Sequence, residues 1–244
     1  MSFFSSSVLS GVVFCDLYDH EKPTLNFKQA KFYKVFDCFN TLLTPHTVNK
    51  NKSEDFKKSL SLVEQQRAQD KIPVGICVSN PQDIKLVSNK IDFLYLVGDV
   101  CRQTDTLENA AKSGMPLILE KSAFLPPNDV ERMIAKLVSC DFALVECGSF
   151  FGYSDRILDP RSLYYLSKQT KNIGLSVCDL IEPEGFSYTH KASWLSKKEH
   201  LHSLFLTGKS LGSSFYVYKK NSHFSLEEFS EFISKSISDR KSVV

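Results

Sequence analysis

The chain has 244 residues, 42% of them hydrophobic, with 30 Lys and Arg against 28 Asp and Glu, a formal net charge of +2. That size suffices for one large α/β core or two small ones. The near-neutral, interspersed charge gives no general attraction to nucleic acid or to a membrane surface, so neither is expected as a partner.

Residues 1–10 lack a basic stretch followed by a long apolar core, and no apolar run approaches the roughly 18 residues that a membrane span needs. A soluble, cytoplasmic protein is expected. Short apolar runs of strand length then follow at 11–17, 32–36, 73–78, 93–97, 116–119, 142–145, 173–178 and 215–218. Between them the spacing predicts helices over 53–67, 81–89, 104–112, 128–138 and 161–168, with a last one over 225–236. Asn128 with Glu131, and Ser225 with Glu228, have the spacing of capping boxes. Gly114 is placed to end the helix over 104–112. Strands alternating with helices predict a mainly parallel sheet, and eight such runs in under 250 residues match the stoichiometry of a (β/α)8 barrel, with a doubly wound open sheet as the alternative. Neither an internal repeat nor a low-complexity linker marks a second domain, so residues 1–244 read as one.

The seven cysteines are odd in number, and most lie in apolar strand-like runs, as Cys77 and Cys178 do. They read as reduced core thiols, and the absence of a Cys-x-x-Cys pair gives a structural metal no support. His190, His200 and His202 match no standard metal spacing. Cys147 beside Gly148 reads as a buried thiol, since the sequence places no histidine near it. Gly208-Lys209-Ser210 lacks the upstream glycine of a phosphate loop. The lysines of the last quarter, Lys191, Lys197, Lys198, Lys209, Lys219 and Lys220, read as a solvated scatter.

Four local patterns occur in register: a strand over 91–97, the loop Cys101-Arg102-Gln103-Thr104-Asp105, a helix ending in Lys112-Ser113-Gly114, and Gly148 followed by Phe151-Gly152-Tyr153. Asp159-Pro160-Arg161-Ser162-Leu163 comes next. In order and spacing this resembles the 3-deoxy-D-manno-octulosonate 8-phosphate synthase family, also called 2-dehydro-3-deoxyphosphooctonate aldolase. The resemblance implies a (β/α)8 TIM barrel, here somewhat trimmed near the N-terminus, where Pro23 interrupts a first helix, and in the loop after strand 7. It also implies condensation of phosphoenolpyruvate with arabinose 5-phosphate, at a site that holds both anions with several Lys and Arg.

Carried over position by position, that site looks depleted. Lys34, Asp37 and Asn40 match the motif after the second strand, but its second lysine is Cys38, its arginine Thr41 and its serine Leu42. After the third strand the family's Asp-Val-His falls on Val78-Ser79-Asn80, and a glutamine of the fourth strand is Tyr95. Arg102 keeps the loop arginine that in the family reaches the sugar phosphate of a neighbouring subunit. The family's Lys-Lys pair ending the fifth strand is Glu120-Lys121, and the sixth strand's arginine is Cys147. The seventh strand's histidine falls on Glu182 and the eighth strand's glutamate on Tyr218. Cys15 matches the first ligand of the metal-dependent members without its partners, so no metal and no cofactor are expected.

Lys34, Asn40, Arg102 and Lys121 are therefore the residual substrate-binding set, with no catalytic residue assigned. Asp105 reads as a helix cap and Phe151-Gly152-Tyr153 as a packed turn. The reading that follows is a diverged, catalytically impaired or altered-ligand barrel, with a phosphorylated small molecule as ligand and either self-association or association with an intact synthase. Two alternatives stand beside it: an active synthase or aldolase, and a non-catalytic partner subunit that lends Arg102.

Overall fold

The structure, a computed structural model, describes residues 12–16, 32–36, 60–61, 63–65, 67–68, 73–87, 89–137, 140–151, 156–177, 180, 197–219, 228–229 and 233. Eight strands follow the apolar runs to within a residue or two at their ends: β1 Val12–Asp16, β2 Phe32–Phe36, β3 Val74–Val78, β4 Phe93–Leu96, β5 Leu117–Glu120, β6 Phe142–Glu146, β7 Ile173–Ser176 and β8 Phe215–Lys219. Each pairs in parallel with its sequence neighbours, and β8 pairs with β1, so the sheet closes into a barrel with no free edge. The doubly wound open sheet is thereby excluded.

Helices cover the outside where the chain is described: α1 Pro81–Val87, α2 Thr104–Lys112, α3 Val130–Ile134, α4 Pro160–Gln169 and α5 Lys197–Ser210. Residues 60–61, 63–65 and 67–68 are helical, overlapping the expected 53–67 segment and running one residue past it, and Glu228, Phe229 and Ile233 are helical within 225–236. The Ser225 capping position lies outside the described residues.

Strand alternation divides the barrel into two layers. Register partners in a parallel pair share a face, so Cys77, Tyr95, Ile118 and Glu120 lie on one side with Val145, Gly174, Phe215, Val217 and Lys219. That side is the interior, because side chains on it meet across strands that are not neighbours. The rings of Phe93 and Phe215 sit in the interior beside strand glycines. A Cβ at Gly75 would collide with the ring of Phe93, and one at Gly174 with the ring of Phe215, so both strands give up a side chain to seat the ring of the next. The opposite face, with Leu94, Leu96, Leu117, Leu119 and Leu144, packs against the helices in the main core. A second cluster joins Leu175, Tyr216 and Tyr218 to Leu201, Leu204, Phe205, Phe229 and Ile233.

Three local expectations are corrected. The Asn128–Glu131 capping box does not form: α3 begins after Asp129 without a side-chain cap, and Glu131 instead accepts from the Tyr165 hydroxyl at 2.8 Å. Asp105 is not a cap, because α2 starts at Thr104 with Gln103 preceding it, and Asp105 lies in the first turn where its charge favours the helix dipole. Helix α5 had no counterpart among the sequence-based elements. Gly114 does end α2, at φ 70°.

Candidate functional site

In barrels of this kind side chains at the C-terminal strand ends converge on one mouth. Here β4, β5 and β8 contribute a connected group. The Tyr95 hydroxyl donates to Glu120 Oε1 at 2.5 Å, the backbone N–H of Gly98 donates to Glu120 Oε2 at 3.1 Å, and Lys219 Nζ lies 2.7 Å from Oε1. Since β5 and β8 are not adjacent, the Glu120–Lys219 ion pair spans the barrel interior. Both side chains are enclosed, 4% exposed for Glu120 and 14% for Lys219. Burial raises the Tyr95 hydroxyl well above its ordinary pKa, and the adjacent Glu120 carboxylate raises it further, so it remains a hydrogen-bond donor.

This arrangement corrects the expectation for Lys219, which is a barrel-mouth residue and not part of a solvated scatter. It also changes the meaning of Glu120. An acid stands at this strand end, and a lysine three strands away balances it across the interior.

Lys121 belongs to the other layer. It follows Glu120, so alternation turns it toward the helices. Its ammonium donates to the Ser122 carbonyl at 3.1 Å and to Ser149 Oγ at 3.2 Å, and lies 3.5 Å from Glu146 Oε1. Glu146 in turn accepts from the Gly148 amide at 2.7 Å and from Ser162 Oγ of α4 at 2.5 Å. Both charged side chains are fully buried. Burial pushes the Glu146 carboxyl upward, and Lys121, Ser162 and Gly148 partly offset that. The pair ties β5 and β6 to α4 and does not join the mouth cluster. Asp159, the N-cap of α4, accepts from the Arg161 amide at 3.0 Å and pairs with the Arg161 guanidinium at 2.9 Å. Burial raises the Asp159 carboxyl, but the hydrogen bonds and charge of Arg161 prevail and hold it below its ordinary value.

Arg102 ends a 3-10 turn, Gly98–Arg102, and is exposed, with no ion-pair partner among the described residues. Lys34 lies on β2, where its backbone pairs with Cys15 and Val74. Asn40, Asp37, Cys38, Thr41 and Glu182 lie outside the described residues. Cys147 is buried, and its thiol donates to the Val145 carbonyl at 3.9 Å. Of the expected packed turn, Phe151 is half exposed, and residues 152–155 are outside the described set.

Tyr218 is buried in the outer layer with its ring 5.1 Å from that of Phe229. Among the described residues no three His, Cys, Asp or Glu come together as ligands would, and no helix is long and apolar enough to cross a membrane. Cys77, Cys101 and Cys147 are buried and Cys140 is partly buried.

No family model matches the chain. Curated relatives do. The 2-dehydro-3-deoxyphosphooctonate aldolase of Desulfotalea psychrophila is 35% identical over 120 residues, covering 48% of this chain and 43% of that protein. Proteins of the same name from Ralstonia pickettii and Bartonella bacilliformis are 32% identical over 116 and 114 residues, covering 44% and 46% of this chain and 41% and 40% of theirs. The chain thus spans less than half the length of the curated relatives it matches. The chain is thus similar, over under half its length, to several 2-dehydro-3-deoxyphosphooctonate aldolases.

Proposed function

We propose that the chain is a diverged member of the 2-dehydro-3-deoxyphosphooctonate aldolase family, a single-domain (β/α)8 barrel over residues 1–244, whose site is impaired for the condensation of phosphoenolpyruvate with arabinose 5-phosphate or has turned to another ligand. One observation carries the reading. Glu120 stands where the resemblance implies a lysine of the catalytic site, and its carboxylate is bound by Tyr95, Gly98 and Lys219. The cation left beside it, Lys121, is committed to Glu146, Ser122 and Ser149. Substitution by Cys38, Thr41 and Cys147 would remove further charge-assisted contacts, each worth roughly 1.5–3 kcal/mol. Four such losses at the lower figure weaken anion binding by about four orders of magnitude. Of the residual set, Asn40 and Arg102 would then do the remaining binding, because the register of β2 with β3 puts position 34 on the face of Val74, opposite the interior face of Gly75 and Cys77.

The test is consumption of phosphoenolpyruvate by the purified chain with arabinose 5-phosphate, beside one of the full-length relatives under identical conditions. Turnover at the relative's rate would refute impairment. A second reading is favoured by Arg102, which is exposed and has no ion-pair partner among the described residues. It makes the chain a partner subunit, cytoplasmic like the enzyme it joins, that lends Arg102 to an intact synthase. Co-purification with such an enzyme from the source cells supports this reading, and purification without it counts against it.

A further inference from the structure

Three donors from three parts of the barrel converge on one carboxylate: the Tyr95 hydroxyl from β4, the Gly98 amide from the turn after it, and the Lys219 ammonium from β8. Two of them reach the same oxygen, Glu120 Oε1, and the third holds Oε2, which is how a protein binds the two oxygens of a small oxyanion. The donors are fixed before any ligand arrives. Tyr95 is 2% exposed on its strand, Gly98 opens a short 3-10 turn, and Lys219 extends the inward-facing series Phe215, Val217 and Lys219.

The described side chains around this carboxylate are apolar or weakly polar, with Phe93, Ile118, Val145, Phe215 and Val217 buried there, and Asp16 of β1 is the register partner of Lys219 on the same face. An acid and a base facing each other across such an interior each carry a desolvation cost that two well-packed apolar residues would avoid.

We infer that Tyr95, Gly98 and Lys219 form a binding position for a small carboxylate at the barrel mouth, and that Glu120 is its built-in occupant. An external carboxylate or similar oxyanion binds there only by displacing the Glu120 side chain, so Glu120 acts as an internal competitor. The inference rests on the geometry alone and stands apart from the family reading, so its failure would leave the proposed function untouched.

The test is to empty the position and refill it. Glu120→Ala deletes a methylene and a carboxylate, which together have nearly the size of acetate. Thermal unfolding of E120A is followed in sodium acetate and in sodium chloride at equal ionic strength, with wild type and E120A/K219M alongside. The expected result is a Tm for E120A below wild type that rises saturably with acetate and not with chloride. Wild type and E120A/K219M should show no such acetate-specific rise. Equal responses of E120A to the two salts, or an acetate response that persists in E120A/K219M, overturns the inference. Should E120A be insoluble, refolding from denaturant into the two salts gives the same reading. A higher refolded yield in acetate supports the position, and equal yields, including none in either salt, overturn it.

Discussion

Replacing Lys121 with Met tests whether this lysine is a structural residue of the sheet–helix layer or a ligand-binding cation. Met fills nearly the same volume, so the substitution deletes the charge while creating little cavity. It leaves Glu146, fully buried, with Ser162 and Gly148 but without its counter-ion. Removing one partner of a buried ion pair costs about 3–5 kcal/mol, because the remaining charge stays desolvated. In a chain of this length each kcal/mol moves Tm by about 2–4 °C, so a fall of roughly 6–20 °C is expected. Part of the loss should return in K121M/E146Q, where the orphaned carboxyl becomes a neutral amide. It should also return in K121M at low pH, because burial already raises the Glu146 carboxyl. A folded-state value above the unfolded one means that the stability linked to this group is full below the unfolded value, about 4.3, and is lost as pH rises toward the folded value. Urea and thermal unfolding at several pH values read all three effects. A K121M protein within about 1 kcal/mol of wild type at neutral pH would refute the structural role of Lys121.

Further expectations follow from particular contacts. Gly75→Ala forces a methyl into the Phe93 ring and should cost about 1–3 kcal/mol by overpacking, with Phe93→Leu in the same chain restoring much of it; additive losses in urea unfolding would show that the two do not touch. Asp159→Ala removes the cap of α4 and should cost about 1 kcal/mol above pH 5. Because Arg161 holds the Asp159 carboxyl low, that contribution is present above the unfolded value near 3.9 and fades as pH falls through the folded one. A difference between wild type and D159A that is constant down to pH 2 would contradict the assignment. Tyr95→Phe withdraws one donor from a buried carboxylate and should cost about 1–3 kcal/mol, less when Glu120→Gln is also present.

The strands were legible because each is a short run of β-branched, aromatic and leucine residues bounded by turn-formers or charge, and their number pointed to a barrel. Helix α5 was not. Its buried face, Leu201, Leu204 and Phe205, has helical spacing, but an exposed Leu206 blurs the pattern, and Ser203, Thr207 and Gly208 are poor helix formers. Gly208 is explained only by the fold, since a Cβ there would come 2.9 Å from Leu175 Cδ2 on β7.

The mouth cluster was half legible. Period-two alternation from Phe215 through Val217 already places Lys219 on the interior face, and the same rule separates Glu120 from Lys121. What no local pattern carries is that β8 faces β5 across the closed barrel, three strands away, so that a lysine near the end of the chain neutralises an acid about a hundred residues earlier. The balancing of Glu120 by Lys219 could not be read from residue identities.

The most direct test of the central claim is a side-by-side turnover measurement of phosphoenolpyruvate with arabinose 5-phosphate, using this chain and the full-length Desulfotalea psychrophila relative. The account predicts that the relative consumes phosphoenolpyruvate while this chain stays at the no-enzyme background. Comparable turnover by both would contradict it.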